Sequence, residues 1–331
     1  MKSSHPANPS PSTTDVLDVI EAAYRVDLTD GDWLDGVLQA ARASLDGGFG
    51  ITGYFVDLSD GGFRAWQHAC VGKDAASDRA NFESWRAATP VGLQRYSHLA
   101  RPSGLVTDIP PPRGESLEPL LEASGFEQVF GVSALDAMGL GCALSAPRTR
   151  RAPAPDLVTW DRIAAHLATA LRLRRRLGNR PREDLVVNDA GRVVHAEGEA
   201  TAARDALRAA ALRIDAARSR RARRDPRSAT AMWAALIQAK WTVVDRFERD
   251  GRRYYVAWRN EPELEASALT PREAQIVAAC GLGHSNKLIA YELGISESTV
   301  ARCLTSASKK LGATSRVELV RLAGALVGRR S

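Results

Sequence analysis

The sequence predicts an α+β protein of several domains that ends in an all-α unit of four helices. At 331 residues the chain is longer than one ordinary domain, and two or three domains are expected. Two regions before residue 262 combine strand-like alternation with helical periodicity, whereas residues 266–331 show helical periodicity alone. With 44% hydrophobic and 25% charged residues, the composition is that of a globular protein. The predicted division is a tail at 1–14, α+β domains at 15–178 and 181–262, and a helical domain at 266–331.

The first residues and the overall hydropathy argue against export or membrane insertion. Residues 1–14 are rich in Pro and Ser and lack an apolar signal-peptide core, so we expect a disordered tail. The most apolar stretch, 131–146, is interrupted by Asp136 and is shorter than the roughly 20 residues that cross a bilayer. A cytoplasmic protein with no membrane partner is therefore expected.

Residue types that carry catalysis or bind metal show none of the spacings that such chemistry needs. The four cysteines, Cys70, Cys142, Cys280 and Cys303, are widely scattered, which favours free buried thiols over zinc ligands or disulfides. Of these, Cys303 is the one whose place on the third helix of the last domain allows it to be exposed. The six histidines have no metal-ligand spacing, and there is no Walker-type phosphate loop. We expect no cofactor, no metal and no enzymatic activity.

The first α+β region begins with a helix that buries Trp33 to Leu45 and stops at Gly47 and Gly48. Strands follow at 49–58 and 63–71, joined by the turn 59–62, and two more strands are predicted at 127–135 and 138–145. A long helix then carries a near-heptad apolar seam: Leu157, Trp160, Ala164, Leu167 and Leu171. The seam either joins two subunits or lies against its own sheet. In its order of elements, the region resembles a GAF-like sensory domain.

Within that region, several aromatic and polar residues form a candidate pocket set. Its members are Tyr54, Trp66, His68, Trp85 and Tyr96. Either they line a pocket for a sensed small molecule, or they are ordinary core and surface positions.

The second α+β region is predicted to begin with two strands joined by a turn, at 184–194. A helix through Leu207 follows, and then a hairpin with strands at 241–247 and 253–258. It resembles an abbreviated PAS-like fold in its order of elements. An arginine-rich run lies in the middle: Arg218, Arg220, Arg221, Arg223, Arg224 and Arg227. The run is either a solvated loop or a surface that touches nucleic acid. An acidic linker, 261–265, leads into the last domain.

The helices of the last domain have clear start and stop signals. Thr270 and Glu273 predict a capping box with Pro271 at the first helical position, and a second helix opens at Ser285. The turn 294–296 leads into a third helix, 297–311, whose apolar residues repeat at helical spacing. The residues predicted for its outer face are Ser298, Ala301, Arg302, Thr305, Ser306 and Lys309. Residues 266–331 hold nine Lys or Arg against four Glu, a net charge of +5 out of +6 for the whole chain.

Spaced motifs give residues 269–316 a family resemblance. Leu269 to Glu273, Gly283 to Lys287, Leu293 to Ser296, Thr299 with Val300, and Lys310 with Leu311 are all in register with the LuxR-type (GerE-like) helix-turn-helix domain. The resemblance covers about a fifth of the chain. It implies a double-stranded DNA reader of four helices whose third helix enters the major groove.

The resemblance also assigns roles to single residues. It implies contacts with base edges for Arg302, Thr305 and Ala301, and with phosphates for Lys287, Thr299, Ser285 and Lys309. A fourth helix with Leu319, Leu322 and Leu326 resembles the element through which such domains dimerise, and the alternative is that this apolar stripe is simply core. The family usually has Lys in place of Ala301 and His in place of Cys303. Glu273 and Arg316 form either a partly buried ion pair or two solvated charges.

The sequence therefore predicts a transcriptional regulator that binds DNA, as a homodimer, under the control of a small-molecule or protein signal sensed by the N-terminal half. The alternative is a signalling module that binds a ligand or a protein and uses its helix-turn-helix for protein contacts, an interpretation suggested by Ala301 and Cys303.

Overall fold

The computed structural model describes residues 16–59, 62–109, 121, 126–136, 139–177, 184–238, 241–249, 252–260, 269–311, 313 and 319. The predicted tail at 1–14 and the acidic linker at 261–265 lie outside these residues. Within them, no helix is both long enough and apolar enough to cross a membrane.

The first α+β region contains a five-stranded antiparallel sheet with helices on both faces. Its elements are α1 Val16–Ala23, α2 Asp30–Leu45, β1 Ile51–Asp57, β2 Arg64–Val71, α3 Ala75–Ala88, α4 Val91–Leu99, β3 Ser103–Leu105, β4 Gln128–Leu135, β5 Leu140–Arg148 and α5 Leu157–Leu177. The strand order is β2-β1-β5-β4-β3. Helices α1, α2 and α5 cover one face, which we call the inner face, and α3 and α4 lie over the other, the outer face.

Helix α5 lies against its own sheet. Trp160, Ala164, Leu167 and Leu171 are buried in the core formed with α1 and the inner face, while Leu157 at the start of the seam is 40% exposed. The interpretation in which the seam packs within the chain is confirmed. These four side chains are not available to a second subunit in this arrangement.

The second α+β region is a four-stranded antiparallel sheet of order β7-β6-β9-β8. Its elements are β6 Leu185–Asn188, β7 Val193–Ala196, α6 Glu199–Ala202, α7 Arg204–Ala217, α8 Pro226–Met232, β8 Trp241–Arg249 and β9 Arg252–Arg259. Leu207 and Ile214 of α7 pack against Val187 and Val243 of the sheet. This core is continuous with that of the first region, so the two sheets share one hydrophobic cluster.

The arginine-rich run is partly paired with acidic residues, and the interpretation of it as a solvated loop is wrong for two of its six members, Arg218 and Arg223. Arg218 Nε lies 3.0 Å from Glu21 Oε1, and Arg223 Nη2 lies 2.6 Å from the same oxygen. Arg227 forms a bidentate pair with Asp156, just before α5, but its side chain is 65% exposed. The side chains of Arg218 and Arg223 tie the second region to α1. Arg220, Arg221 and Arg224 are exposed as well.

Three helices of the last region follow: α9 Pro271–Gly281, α10 Asn286–Leu293 and α11 Glu297–Leu311. Their shared core includes Ile276, Ile289, Val300 and Leu304. The fourth predicted helix lies outside the described residues except for Leu319, which is 2% exposed and packs in this core. This burial supports the interpretation of the stripe as core for Leu319, and a role of the fourth helix between subunits stays a prediction.

Candidate functional site

The turn between α10 and α11 has the geometry that its sequence predicts. Gly294 caps α10 in the left-handed conformation, with φ of +60°, where a side chain would be strained. The hydroxyl of Ser296 then accepts a hydrogen bond from the backbone N–H of Thr299 at 3.2 Å, which caps the start of α11. Helix α11 begins at Glu297 and ends at Leu311, as predicted.

The outer face of α11 is open to solvent. Ser298, Ala301, Arg302, Thr305 and Lys309 are all exposed, as predicted. Within the described residues, the polar side chains of this face make short-range contacts: Arg302 Nη2 lies 3.5 Å from Thr299 Oγ1, and the Thr305 hydroxyl donates to the backbone oxygen of Ala301 at 3.0 Å. The guanidinium therefore keeps most of its donors for an external acceptor.

Two further residues with predicted roles lie at the start of α10. Ser285 is exposed and its oxygen accepts a hydrogen bond from the N–H of Leu288 at 3.2 Å, so this side chain caps the helix. Lys287 is exposed in the first turn. Both are accessible to an anion.

Ser306 does not belong to the outer face. It is half-buried, and its hydroxyl donates to Glu273 Oε1 at 2.6 Å, while Lys310 Nζ lies 2.6 Å from Glu273 Oε2. Together with the capping box at Thr270, these hydrogen bonds hold the pKa of Glu273 down to about 2. The cation that pairs with Glu273 here is Lys310, and Arg316, the predicted partner, lies outside the described residues.

The two departures from the family pattern have different consequences. Ala301 is exposed, so the outer face carries no cation at that point. Cys303 is half-buried and packs against the domain core. The three other cysteines are also free thiols, as predicted.

Helix α10 turns its other side to the rest of the protein, and we call this contact the junction. It joins Tyr291, Glu292 and Gly294 to α5 and to the segment after α8. The Tyr291 hydroxyl lies 2.6 Å from the backbone oxygen of Thr230 and 2.7 Å from that of Trp233. The Arg162 guanidinium sits 5.0 Å from the centre of the Tyr291 ring.

A buried histidine of α5 connects the junction to α1. His166 Nε2 lies 2.8 Å from the Trp233 carbonyl oxygen and 2.9 Å from the Tyr291 hydroxyl, so Nε2 carries the proton. Its Nδ1 then accepts from the Tyr24 hydroxyl at 2.9 Å. Burial lowers the pKa of His166 to about 3, so the ring is neutral and both its nitrogens are satisfied.

The junction also contains a buried carboxylate. Glu292 is 4% exposed, its Oε2 accepts from His284 Nδ1 at 3.1 Å, and its Oε1 lies 3.8 Å from Arg172 Nη2 on α5. Burial alone would raise the pKa of Glu292, but the hydrogen bond from His284 and the positive charge of Arg172 keep it below its ordinary value. The carboxylate therefore stays ionised inside the contact.

Backbone atoms complete the junction. A Cβ atom on Gly294 would lie 2.1 Å from the backbone oxygen of Leu236, and Leu236 itself packs in the core of the helical domain. Arg272 Nη2 donates to the backbone oxygen of Gln238 at 2.8 Å. Sequence reasoning missed these contacts because no local pattern marks them. The sequence signal that could have indicated the junction is the pair Tyr291 and Glu292, which are polar residues among the aliphatic residues of the short helix α10.

The five residues of the candidate pocket set do not lie together in the structure. Tyr54 and Trp85 line a cavity on the outer face of the first sheet. Trp66 is 44% exposed on the edge strand, and His68 Nε2 lies 3.1 Å from Asp78 Oδ2, where it forms an ion pair when protonated. Tyr96 packs beside a separate small cluster with Leu93 and Ile109. The pocket interpretation therefore applies to two of the five residues.

Comparison with known proteins identifies the helical region. Residues 267–323 match the family described as bacterial regulatory proteins of the luxR family (GerE). The C-terminal part of the chain is therefore a helix-turn-helix domain of this family.

Two curated relatives match the same end of the chain. The transcriptional regulatory protein YdfI of Bacillus subtilis (strain 168) is 42% identical over 65 residues, which cover 20% of this chain and 30% of that protein. The transcriptional regulatory protein FixJ of Azorhizobium caulinodans is 37% identical over 90 residues, 27% of this chain and 42% of that protein. The chain thus spans less than half the length of either relative.

Proposed function

We propose that this protein regulates transcription by binding double-stranded DNA, with α11 in the major groove. The observation that carries the proposal is the exposed, hydroxyl-rich and basic outer face of α11 within a domain of the luxR family. A helix of this width fits the major groove, where base edges present distinct donors and acceptors.

The proposed contacts follow from side-chain chemistry. Arg302 can donate two hydrogen bonds to the edge of a guanine. We propose that Thr305 contacts a neighbouring base and that the Ala301 methyl group packs against a thymine methyl group. Lys287, Lys309, Thr299 and Ser285 are proposed to hold phosphates. In this division of roles, base contacts select the DNA sequence and phosphate contacts fix the orientation of the protein.

We further propose that the protein acts as a homodimer in the cytoplasm. Two reader helices must address half-sites about one DNA turn apart, and Leu322 and Leu326 are the proposed contacts between subunits. The regions 15–178 and 181–262 are proposed as GAF-like and PAS-like sensory domains. The junction supports control by these domains, because its hydrogen bonds and buried carboxylate hold α10 against both.

The test is selection of DNA sites by the full-length protein from a pool of genomic fragments, followed by fluorescence anisotropy at one fixed salt concentration. We expect a selected site to bind about 10³-fold or more tightly than a scrambled duplex of the same length. A ratio close to one would rule out specific regulation through this domain.

The alternative is a signalling module that binds a ligand or a protein and whose helix-turn-helix contacts protein. Ala301 favours it, since the outer face lacks a cation there. The substitution Ala301→Lys discriminates: a gain in DNA affinity from undetectable to measurable would indicate a reader that has lost DNA binding. An unchanged operator preference and a modest gain would support the first proposal.

A further inference from the structure

The first sheet holds a cavity of about 130 Å³ on its outer face. Small residues of β4 and β5 make its floor, namely Gly131, Ser133, Ala143 and Ser145. Its walls are aromatic and come from β1 and α3: Tyr54, Phe82 and Trp85. The cavity thus combines three ring faces with a floor that carries two hydroxyl groups.

The backbone does not force this space to stay open. A Cβ atom on Gly131 would meet nothing closer than the backbone oxygen of Gly104 at 3.9 Å, and this glycine has no positive φ. The backbone at this position therefore accepts a side chain that would point into the cavity. Protein interiors are normally filled by their own side chains, so a cavity of this size with polar groups in it is typical of a binding site.

The hydrogen-bonding groups of the cavity are available. Ser133 and Ser145 are half-buried, and their hydroxyls bond to none of the residues that the structure describes. His98 Nδ1 lies 2.8 Å from the Gln94 carbonyl oxygen and so carries the ring proton; its Nε2 accepts from the Tyr54 hydroxyl at 2.8 Å. The Tyr54 oxygen therefore keeps a lone pair for a donor in the cavity.

The charges around the cavity cancel. Lys73 Nζ lies 2.7 Å from Asp78 Oδ1, and Thr52 donates to the same carboxylate at 2.9 Å. Burial lowers the pKa of His98 to about 4, so that ring is neutral. An ion entering the cavity would lose its hydration without gaining an unpaired counter-charge, and the cavity therefore disfavours charged ligands.

We propose that this cavity binds an uncharged molecule built on one aromatic ring with a hydroxyl or similar hydrogen-bonding substituent. An engineered apolar cavity of roughly 150 Å³ holds benzene, which sets the scale for a single ring. Ring faces of Tyr54, Phe82 and Trp85 suit offset or edge-to-face contacts with that ring. The hydroxyls of Ser133 and Ser145 and the oxygen of Tyr54 suit its polar substituent.

The position of the cavity connects it to the helical domain. Ser97 and His98 line it from α4, and a Cβ atom on Gly283 would lie 3.1 Å from the backbone oxygen of Ala100, just after that helix. Leu282 packs on the same aromatic cluster. A ligand that shifts α4 would therefore change the contact between α4 and the helical domain. This consequence rests on the proposed DNA-binding function, whereas occupancy of the cavity does not.

The experiment uses the full-length protein without DNA and measures the binding of phenol by saturation-transfer NMR and calorimetry. We expect phenol to bind, cyclohexanol to bind several-fold more weakly for lack of ring contacts, and benzoate to bind at least tenfold more weakly because of its charge. Gly131→Leu, which fills the cavity, is expected to weaken phenol binding at least tenfold. Gly92→Leu is the matched control, because Gly92 is exposed on α4 with no atom near its Cβ position, and it should leave the affinity unchanged.

Ser133→Ala provides a second variant if Gly131→Leu does not fold. It should weaken phenol binding several-fold and leave the binding of toluene unchanged. The proposal is overturned if phenol does not bind, or if neither variant alters its affinity. Because no DNA is present, this failure is distinct from a failure of the proposed DNA binding.

Discussion

The outer face of α11 and the junction side of α10 belong to one small domain and are built in opposite ways. On α11, Arg302 and Lys309 are exposed and the polar contacts are local. On α10, Tyr291 and Glu292 bond to residues 58 to 125 positions away. The difference indicates that the proposed DNA contact and the attachment to the rest of the protein belong to different helices. Each can be altered while the other is kept.

The two surfaces should also differ in what a substitution costs. Exposed substitutions away from caps and pairs usually change the free energy of unfolding by less than about 0.5 kcal/mol. Leaving a buried polar group without its partner costs about 1–3 kcal/mol. Changes on the outer face of α11 should therefore affect binding alone, and changes at the junction should affect stability.

The largest expected effect is at Gly294. In Gly294→Ala the new methyl group meets the Leu236 carbonyl oxygen and the residue keeps a left-handed backbone, so we expect a loss of about 2–4 kcal/mol in the free energy of unfolding or a detached helical domain. Urea denaturation measures the free energy of unfolding, and small-angle scattering detects a detached helical domain. Gly48→Ala is the control, since Gly48 also has a positive φ but nothing within 4 Å, and it should show backbone strain alone. Equal losses in the two variants would contradict the junction as described.

The next effect is at Arg302 and appears only in binding. Arg302→Ala should weaken the selected DNA site by about 1–3 kcal/mol and relax the preference at one base position. The urea midpoint should not move. Arg221→Ala, at an exposed arginine of the second region, should leave both quantities unchanged. Uniform weakening on every DNA sequence would assign Arg302 to a phosphate.

These two positions show what sequence reasoning can reach. The bounds of α11 were predictable because Ser296, Glu297 and the apolar spacing of Val300 and Leu304 are local signals. The exposure of Arg302 follows from the same spacing. The close approach of Gly294 to Leu236 was not predictable, because the local sequence around a turn glycine is the same whether or not another backbone segment packs against it.

Long-range pairing accounts for the other differences. The sequence around Arg223 predicts a solvated arginine run, but its guanidinium bonds to the carboxylates of Asp18 and Glu21 in α1, more than 200 positions away. Ser306 falls on the polar side of α11 by spacing, yet Glu273, 33 positions earlier, draws it inward. In each case the pattern is correct for an isolated helix, and the tertiary partner decides the outcome.

The junction should weaken in acid through His166. Its pKa in the folded protein, about 3, lies below its ordinary value of about 6.5, so the unfolded chain binds more protons between these values. Stability that is present above pH 6.5 should fall as the pH drops, by up to about 1.4 kcal/mol per pH unit. The measurement is the urea midpoint from pH 7 to 4. In His166→Gln the slope should be smaller, and the part due to His98, also buried and neutral, should remain. An unchanged slope would contradict the role given to His166.

The smallest effect separates two adjacent lysines of α11. Lys309 is exposed and free to meet a phosphate, so Lys309→Ala should reduce the slope of log affinity against log salt by about one and leave stability unchanged. Lys310 is paired with Glu273, so Lys310→Ala should leave the salt slope nearly unchanged and cost less than about 1 kcal/mol in stability.

The same pair gives Lys310→Ala a second signature, in acid. Because the pKa of Glu273 is depressed to about 2, its contribution to stability is present above pH 4.5 and is lost as the pH falls toward 2. Without Lys310 that pKa should rise toward its ordinary value, and the loss in acid should be smaller than in the wild type. Anisotropy titrations at several salt concentrations and urea midpoints at pH 5 and 3 measure the two effects. If Lys310→Ala changed the salt slope as much as Lys309→Ala, then DNA would compete with Glu273 for that lysine, and the two surfaces of the domain would not be independent.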